Sequence, residues 1–484
     1  MAKILTEIVA NRQRHIDGIR QRIGHVSFDT LRYSERSLYD ALAAPGASYI
    51  MECKSASPSL GTIREDYKPG EIASIYSRYA SAISVLCEPD HFGGDYDHLA
   101  TVAATTHLPV LCKDFIVDEV QIYAARYFGA DAVLLMLSVL SDEEYTHLAS
   151  VAESLRMDVL TEVIDEDEAA RAAKLGARIF GVNHRNLHDL SIDLDRSARL
   201  ADLAPDGAVV VAESGIRDAA TVRRLGGHSD GFLVGSQLTS QPDIDRACRH
   251  LVYGPNKVCG LRSASAAQAA KAAGAVYGGL TFEEASPRNV SRETAAEIIA
   301  AEPGLDYVAV SRRTEGYGEL VQPGITAVQV HAPYQGSLEA ERELIERVRA
   351  EVDVEVWRAV DMTGPNDAAG VAELVDKLVL DSGAGGTGER FDWSRIPTTD
   401  ALLAGGLTPD NLTDALRTGC TSLDLNSGFE DPLGHKDAAA LRRGFATIRN
   451  FHTKGRKYDP APCLLRRVRR TVRSRVAHPG ARPA

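Results

Sequence analysis

A chain of 484 residues, 44% hydrophobic and 25% charged, is long enough for two or three domains with ordinary cores. Its seven cysteines form no CxxC pair and no metal-like spacing with the histidines, which argues against a disulfide-built or zinc-built fold. No apolar run is long enough to span a membrane and residues 1–14 lack an apolar signal core, so the expected setting is the cytoplasm, with no membrane partner. The net charge of -13 hides an asymmetry, because Lys454 to Ala484 carries ten Lys/Arg against the single acid Asp459. The rest holds 44 basic and 66 acidic residues, a charge of -22. An acidic body is unsuited to nucleic acid and must hold any anionic substrate with local groups. The stretch 451–484 reads as a solvated, poorly ordered basic tail.

Along the chain, Ile4 to Leu42 reads as helical and is expected to cover one end of the first domain. Short β-rich apolar runs then alternate with amphipathic helical stretches, the pattern of parallel βα units. The first half supplies eight runs: 48–54, 83–87, 109–115, 132–138, 158–163, 179–185, 209–215 and 231–236. Between the third and fourth, Val120, Ile122, Tyr123 and Tyr127 can share one face of a helix that starts at Asp118 and ends at Gly129. A break falls near Tyr253 to Asn256, too short for a swinging linker, so the halves are expected to touch. The second half supplies eight more runs: 257–261, 277–282, 307–311, 327–331, 355–360, 377–382, 401–407 and 422–428. Eight βα units twice, each in roughly 200 to 250 residues, predict two tandem (β/α)8 barrels of the α/β class. Their expected extents are 1–252 and 256–450.

In such barrels chemistry sits where strands end, so polar residues closing an apolar run are the informative ones. Glu52 and Lys54, Lys113, Glu162, Asn183 and Glu213 close five runs of the first half and would converge above one mouth. Ser214 and Gly215 with Gly235 and Ser236 place small residues on adjacent strands, where backbone N–H groups can face a phosphate. The second half repeats the device with Gly405 and Gly406, then Asn426 and Ser427, and adds a glycine-rich loop carrying Gly385, Gly386 and Gly388. Its mouth holds fewer ionisable groups: Cys259, His331 and Asp381 at strand ends, with Arg288 after the second strand. A thiol and a carboxyl on strands one and six can face each other as a base and acid pair.

These residues carry a resemblance. The runs ECKSASPSLG, CKDF, LLMLSVL, LTEV, GVNHRNL and ESGI resemble indole-3-glycerol-phosphate synthase over about residues 1 to 252. The runs NKVCGL, SPR, AVQVH, LDSGAGGTGERFDW, LAGGL and LDLNSG resemble phosphoribosylanthranilate isomerase over about residues 256 to 450. The resemblance implies an Amadori isomerisation in the second barrel, with Asp381 as general acid, Cys259 as general base and Arg288, Gln329 and His331 on the substrate. For the first barrel it implies ring closure, decarboxylation and dehydration, with Lys113 as general acid on the carbonyl and Glu162 stabilising charge or acting as base. Glu52 and Lys54 would contact the reacting carboxylate and proton path, while Asn183, Glu213, Ser57, Phe115 and Arg185 would orient the substrate. It also implies small phosphosugar substrates, no metal or organic cofactor, and a monomer. The second half departs from the isomerase pattern at Arg262, Ala266, Ser311 and Arg313. On the residues alone, a phosphosugar barrel with other substrates, or a second half kept as a scaffold, stays open.

Overall fold

The computed structural model describes residues 3–186, 190–383 and 389–451. It contains two closed eight-stranded parallel barrels, each with its strands in sequential order and the eighth pairing back to the first. In the first barrel the strands are Ser48–Cys53, Ala82–Leu86, Val110–Lys113, Ala132–Met136, Asp158–Val163, Ile179–Asn183, Val209–Glu213 and Gly231–Val234. In the second they are Lys257–Val258, Tyr277–Thr281, Asp306–Ser311, Ile325–Val330, Glu355–Asp361, Lys377–Asp381, Leu402–Leu403 and Ser422–Leu425. All sixteen apolar runs became strands, but many end earlier than their sequence runs. The polar and glycine residues after them leave the ladder to build the mouths; Gly405 and Gly406, for example, take left-handed φ of 79° and 62° and stop the seventh strand at Leu403.

Each barrel has two cores, because a strand with period two feeds alternate residues to opposite faces. In the first strand Tyr49, Met51 and Cys53 pack outward under the helices, while Ile50 packs inward with Leu111, Leu160 and Val211. The next inward positions on strands one, three, five and seven are Glu52, Lys113, Glu162 and Glu213. Four alternate strands thus supply the top layer of side chains with charges where the layers below carry Leu, Ile and Val.

The segment before the first strand is less helical than expected. Lys3–Arg22 and Leu38–Leu42 are helices with only a short 3-10 turn, Phe28–Thr30, between them. They also serve opposite ends. Ser48 Oγ donates to Leu42 O and Ser37 Oγ to Asp158, so the second helix closes the N-terminal end of the barrel. The first helix lies at the mouth, where Arg12 donates through Nε (2.8 Å) and Nη2 (2.5 Å) to buried Asp114, the residue after Lys113. The helix after the third strand is Glu119–Tyr127, capped by Asp118 with Gln121 returning a bond to the cap. Its buried face is Val120, Gln121, Ile122, Ala124 and Ala125, whereas Tyr127 stays 43% exposed and packs edge-on against His25.

The barrels are in contact. Helix Ile244–Tyr253 reaches the second barrel through Arg246 to Asp306 at 2.7 Å and Tyr253 against Phe445 at 5.6 Å between rings. Arg249, fully buried, donates to the carbonyls of Ala275 and Gly304 and to Asp245. Arg249→Met would leave the buried Ala275 carbonyl and the half-buried Gly304 carbonyl without this donor, at a cost of about 2 to 4 kcal/mol. Both tryptophans, Trp357 and Trp393, belong to the second barrel. Their fluorescence during urea unfolding is therefore the readout, and a midpoint equal to wild type would show that Arg249 does not tie the barrels energetically.

Candidate active sites

In the first barrel, every candidate from Glu52 to Ser236 lines one cavity of about 650 Å³. Five ionisable groups share its floor. Lys113 Nζ lies 2.5 Å from Glu213 Oε2 and 3.9 Å from Glu162, and Lys54 Nζ lies 2.5 Å from Glu52 Oε1. Asn183 joins two functions: its Nδ2 donates to Glu162 at 3.0 Å, and its Oδ1 accepts from Ser214 Oγ at 2.9 Å. Burial alone would lower the Lys113 ammonium, but Glu213, Glu162 and Glu52 outweigh it and hold the group above its ordinary value. Burial and Glu213 push Glu162 up to about 7 against the pull of Lys113 and Asn183. One side chain therefore stays a cation through the neutral range while its neighbour exchanges a proton there, as an acid and a base at one centre require.

The walls are apolar: Ile4, Leu5 and Ile8 from the N-terminal helix, with Phe92 and Phe115, whose rings lie 5.9 Å apart. Ser214, Gly215, Gly235 and Ser236 form the rim beyond the carboxylates. Ser214 takes a left-handed φ of 69°, unusual for a residue with a side chain, and the buried His184 ring donates from Nδ1 to its carbonyl at 3.0 Å. Gly235 must lack a side chain, since a Cβ there would strike the Glu52 carboxylate. Gly235→Ala is expected to lower the first-barrel reaction roughly tenfold to a hundredfold by displacing Glu52. Steady-state assays of both reactions check this, the second-barrel reaction remaining at its wild-type rate.

In the second barrel the inward positions form two polar layers. In the lower one, Lys257 Nζ donates to Gln329 Oε1 at 2.8 Å and to Asp424 Oδ2 at 2.7 Å. Gln329, expected on the substrate, is instead 2% exposed and committed to this lysine beneath the mouth. The upper layer holds Cys259, His331 and Asp381, with His331 Nε2 3.5 Å from Asp381 Oδ2. Gly279 makes room for the thiol, because a Cβ there would lie 2.6 Å from Cys259 Sγ. Burial raises the Cys259 thiol against the pull of Lys257, and burial lifts Asp381 to about 7 although the Ser382 N–H pulls it down. Burial and nearby cations hold His331 down at about 4, so its ring meets Asp381 uncharged at neutral pH.

Arg288 stands at the rim with its Nε and Nη2 on Glu430 at 2.9 and 2.7 Å. Gly405 lies against Asp381 and Ser382, and Asn426 with Ser427 come directly after the eighth strand. Gly385, Gly386 and Gly388 lie outside the described residues, as does 452–484. Sequence reasoning missed Lys257 and Asp424, although a lysine inside the apolar run before Cys259 was a legible signal. It also missed Lys436, and the Arg288 to Glu430 and Arg12 to Asp114 pairs, which join residues too far apart in the chain for any spacing to show. At the departures from the isomerase pattern, Arg262 donates to Pro287 O and Gly434 O and so ties two mouth loops together, whereas Arg313 donates to Gly316 O within its own loop. Ala266 N is bonded to the capping Ser263 of helix Ala264–Ala273, and buried Ser311 Oγ accepts from Arg313 N.

Two parallel barrels, each with ionisable side chains gathered at the C-terminal ends of its strands, define a double-headed acid–base enzyme. Residues 5–251 match the family model of indole-3-glycerol phosphate synthase, and residues 256–446 that of N-(5'phosphoribosyl)anthranilate (PRA) isomerase. The chain is 66% identical over 465 residues to the tryptophan biosynthesis protein TrpCF of Corynebacterium glutamicum, covering 93% of this chain and 98% of that one. It is 45% identical over 460 residues to the TrpCF of Salmonella typhi, covering 93% and 100%. A solved phosphoribosyl anthranilate isomerase from Thermus thermophilus aligns at 28% identity and a TM-score of 0.34 over 40% of this chain and 96% of that one. The chain therefore belongs to the family of fused synthase–isomerase enzymes of tryptophan biosynthesis. Its second barrel isomerises N-(5-phosphoribosyl)anthranilate to 1-(2-carboxyphenylamino)-1-deoxyribulose 5-phosphate, and its first converts that product to indole-3-glycerol phosphate. Among the described residues, no helix is long and apolar enough to cross a membrane.

Proposed function

We propose that the residues gathered at the two mouths divide the chemistry between acids, bases and phosphate holders. In the first barrel Lys113 protonates the ketone oxygen of the deoxyribulose chain as the anthranilate ring carbon attacks it. The bond forms, carbon dioxide leaves the ring carbon, and loss of the hydroxyl as water completes the indole. Glu162 takes or returns the proton in dehydration, and Glu213 holds Lys113 in place. Lys54, steered by Glu52, faces the departing carboxylate. Asn183 couples Glu162 to Ser214, which with Gly215, Gly235 and Ser236 receives the phosphate. Ser57, Phe115 and Arg185 shape the remaining wall. What carries this reading is the layer Glu52, Lys113, Glu162 and Glu213 under an apolar cavity with small residues at its rim.

In the second barrel Asp381 protonates the ribose ring oxygen and Cys259 removes the C2 proton, with His331 aligning the acid. Arg288 takes the anthranilate carboxylate, and Gly385, Gly386, Gly388, Gly405, Gly406, Asn426 and Ser427 hold the phosphate. The domains are read as 1–252 and 256–450, in a cytoplasmic monomer. The test feeds phosphoribosylanthranilate to purified, chelator-treated protein and follows both products. Cys259→Ala is expected to stop the first step while the deoxyribulose phosphate, supplied directly, is still converted; wild-type turnover by that variant would remove Cys259 from the mechanism. Light scattering giving twice the chain mass would overturn the monomer.

A further inference from the structure

We propose that Glu430 and Lys436 are positioning residues of the isomerase site, which lock the Arg288 guanidinium and hold the charge beside Cys259 at a single positive. This rests on the reading of Arg288 as the carboxylate clamp and of Cys259 as the base.

The geometry is a closed chain of bonds. Glu430 accepts from Arg288 Nε and Nη2 at 2.9 and 2.7 Å and from Lys436 Nζ at 2.7 Å. The lysine spends its other bonds on Asn426, at 3.0 Å to the side-chain oxygen and 3.2 Å to the carbonyl. Glu430 and Lys436 are neighbours because the chain turns back between them: residues 430 and 436 form an antiparallel bridge, and Gly434 N donates to Asp431 O. The side chains of Lys436 and Glu430 are 1% and 6% exposed, so both charged groups are buried and paired rather than solvated.

With one edge of the guanidinium filled by Glu430, only the Nη1 and Nη2 edge is left to a ligand carboxylate, and a fork held in one plane selects a carboxylate in that plane. The two cations and one anion sum to one positive charge, which one substrate carboxylate neutralises. Among the described residues, Glu430 is the one acid in ion-pair contact with either cation. The cluster also abuts the base. A Cβ on Gly260 would lie 2.6 Å from Arg288 Cδ and 2.9 Å from Asn426 Oδ1, so the peptide after Cys259 runs against both.

The thiol faces Lys257 on its own strand, Asp424 on the neighbouring strand, Lys436 beyond it and Arg288 from the loop after the second strand. Burial raises the thiol most; of these groups Lys257 and, more weakly, Lys436 pull it down and Asp424 pushes it up. Glu430→Gln adds a net positive charge and Lys436→Met removes one, while the double variant restores the original sum. The expected result is a KM for phosphoribosylanthranilate raised roughly tenfold in Glu430→Gln, with a smaller change in kcat. The alkaline limb of kcat/KM should move down by about one pH unit in Glu430→Gln, up in Lys436→Met, and back toward wild type in the double variant. A purely structural defect would move all three the same way, or change rate without moving the limb. Either outcome, or an unchanged KM in Glu430→Gln, overturns the inference.

Folding is monitored in the same preparations by the synthase reaction on supplied deoxyribulose phosphate, which uses none of these residues. Should Glu430→Gln lose that activity, Glu430→Asp replaces it: retained charge with a shorter reach should raise KM and leave the limb in place. Cys259→Ala, run alongside, separates the two readings. If it is inactive and Glu430→Gln matches wild type, only the positioning role falls; if it is active, the assignment of the base falls first.

Discussion

Lys113→Ala will abolish indole-glycerol phosphate formation and make the deoxyribulose phosphate accumulate at the wild-type rate of isomerisation. Loss of a positioned general acid costs roughly a hundredfold to ten thousandfold. The loss here should fall at the upper end, because the lysine also compensates three acids. Glu52, Glu162 and Glu213 are 1 to 3% exposed, and the ammonium between them sits 2.5 Å from Glu213. Without it, burial drives Glu162, already lifted to about 7, further toward the neutral acid, so the base for dehydration fails with the acid for ring closure. Product analysis by chromatography after feeding phosphoribosylanthranilate is the measurement. Indole-glycerol phosphate formed within tenfold of wild type would remove Lys113 from the mechanism.

The isomerase will show a bell-shaped kcat/KM whose acid limb lies near pH 7 and whose alkaline limb lies above the ordinary thiol value. Asp381 must be protonated and Cys259 ionised in the reactive form, yet burial lifts the carboxyl to about 7 and the thiol still higher. Below the lower value both groups hold protons and the base is silent. Between the two values one proton is shared out, mostly on the thiol, with a constant minority carrying it on Asp381 as the reaction needs. Above the upper value both protons are gone and the acid is silent. Asp381→Asn removes the proton donor and should cost at least about a hundredfold in kcat. A profile with its plateau wholly below pH 6 would show that Cys259 and Asp381 are not the pair. In either case the synthase reaction, tested on its own substrate, should be unaffected by substitutions in the second mouth.

Which residues could reach a mouth was legible from strand periodicity. Glu52, Lys113, Glu162 and Glu213 each come two positions after an inward Ile, Leu or Val, so their convergence needed only the period of a strand and the closure of a barrel. The same rule placed Cys259 and Asp381 at the ends of strands one and six of the second barrel. It did not distinguish a residue at the mouth from one a layer down: Gln329 and His331 are two apart on one strand, and only the first is buried under Lys257. Depth depends on the barrel's stagger, which a single strand does not carry.

Local chemistry therefore determined the strands, the barrel count and the identity of the strand-end residues, because each depends on neighbours within a few positions in the chain. Tertiary structure alone decided that the N-terminal helix walls the first cavity, that Arg12 fixes Asp114 beside Lys113, and that Glu430 and Lys436 lock Arg288. Those pairs are 102 and 142 residues apart for Arg12 to Asp114 and Arg288 to Glu430. A charge at such a separation finds its partner only once closure of the barrel has brought the loops to one rim and removed the water that would otherwise solvate it.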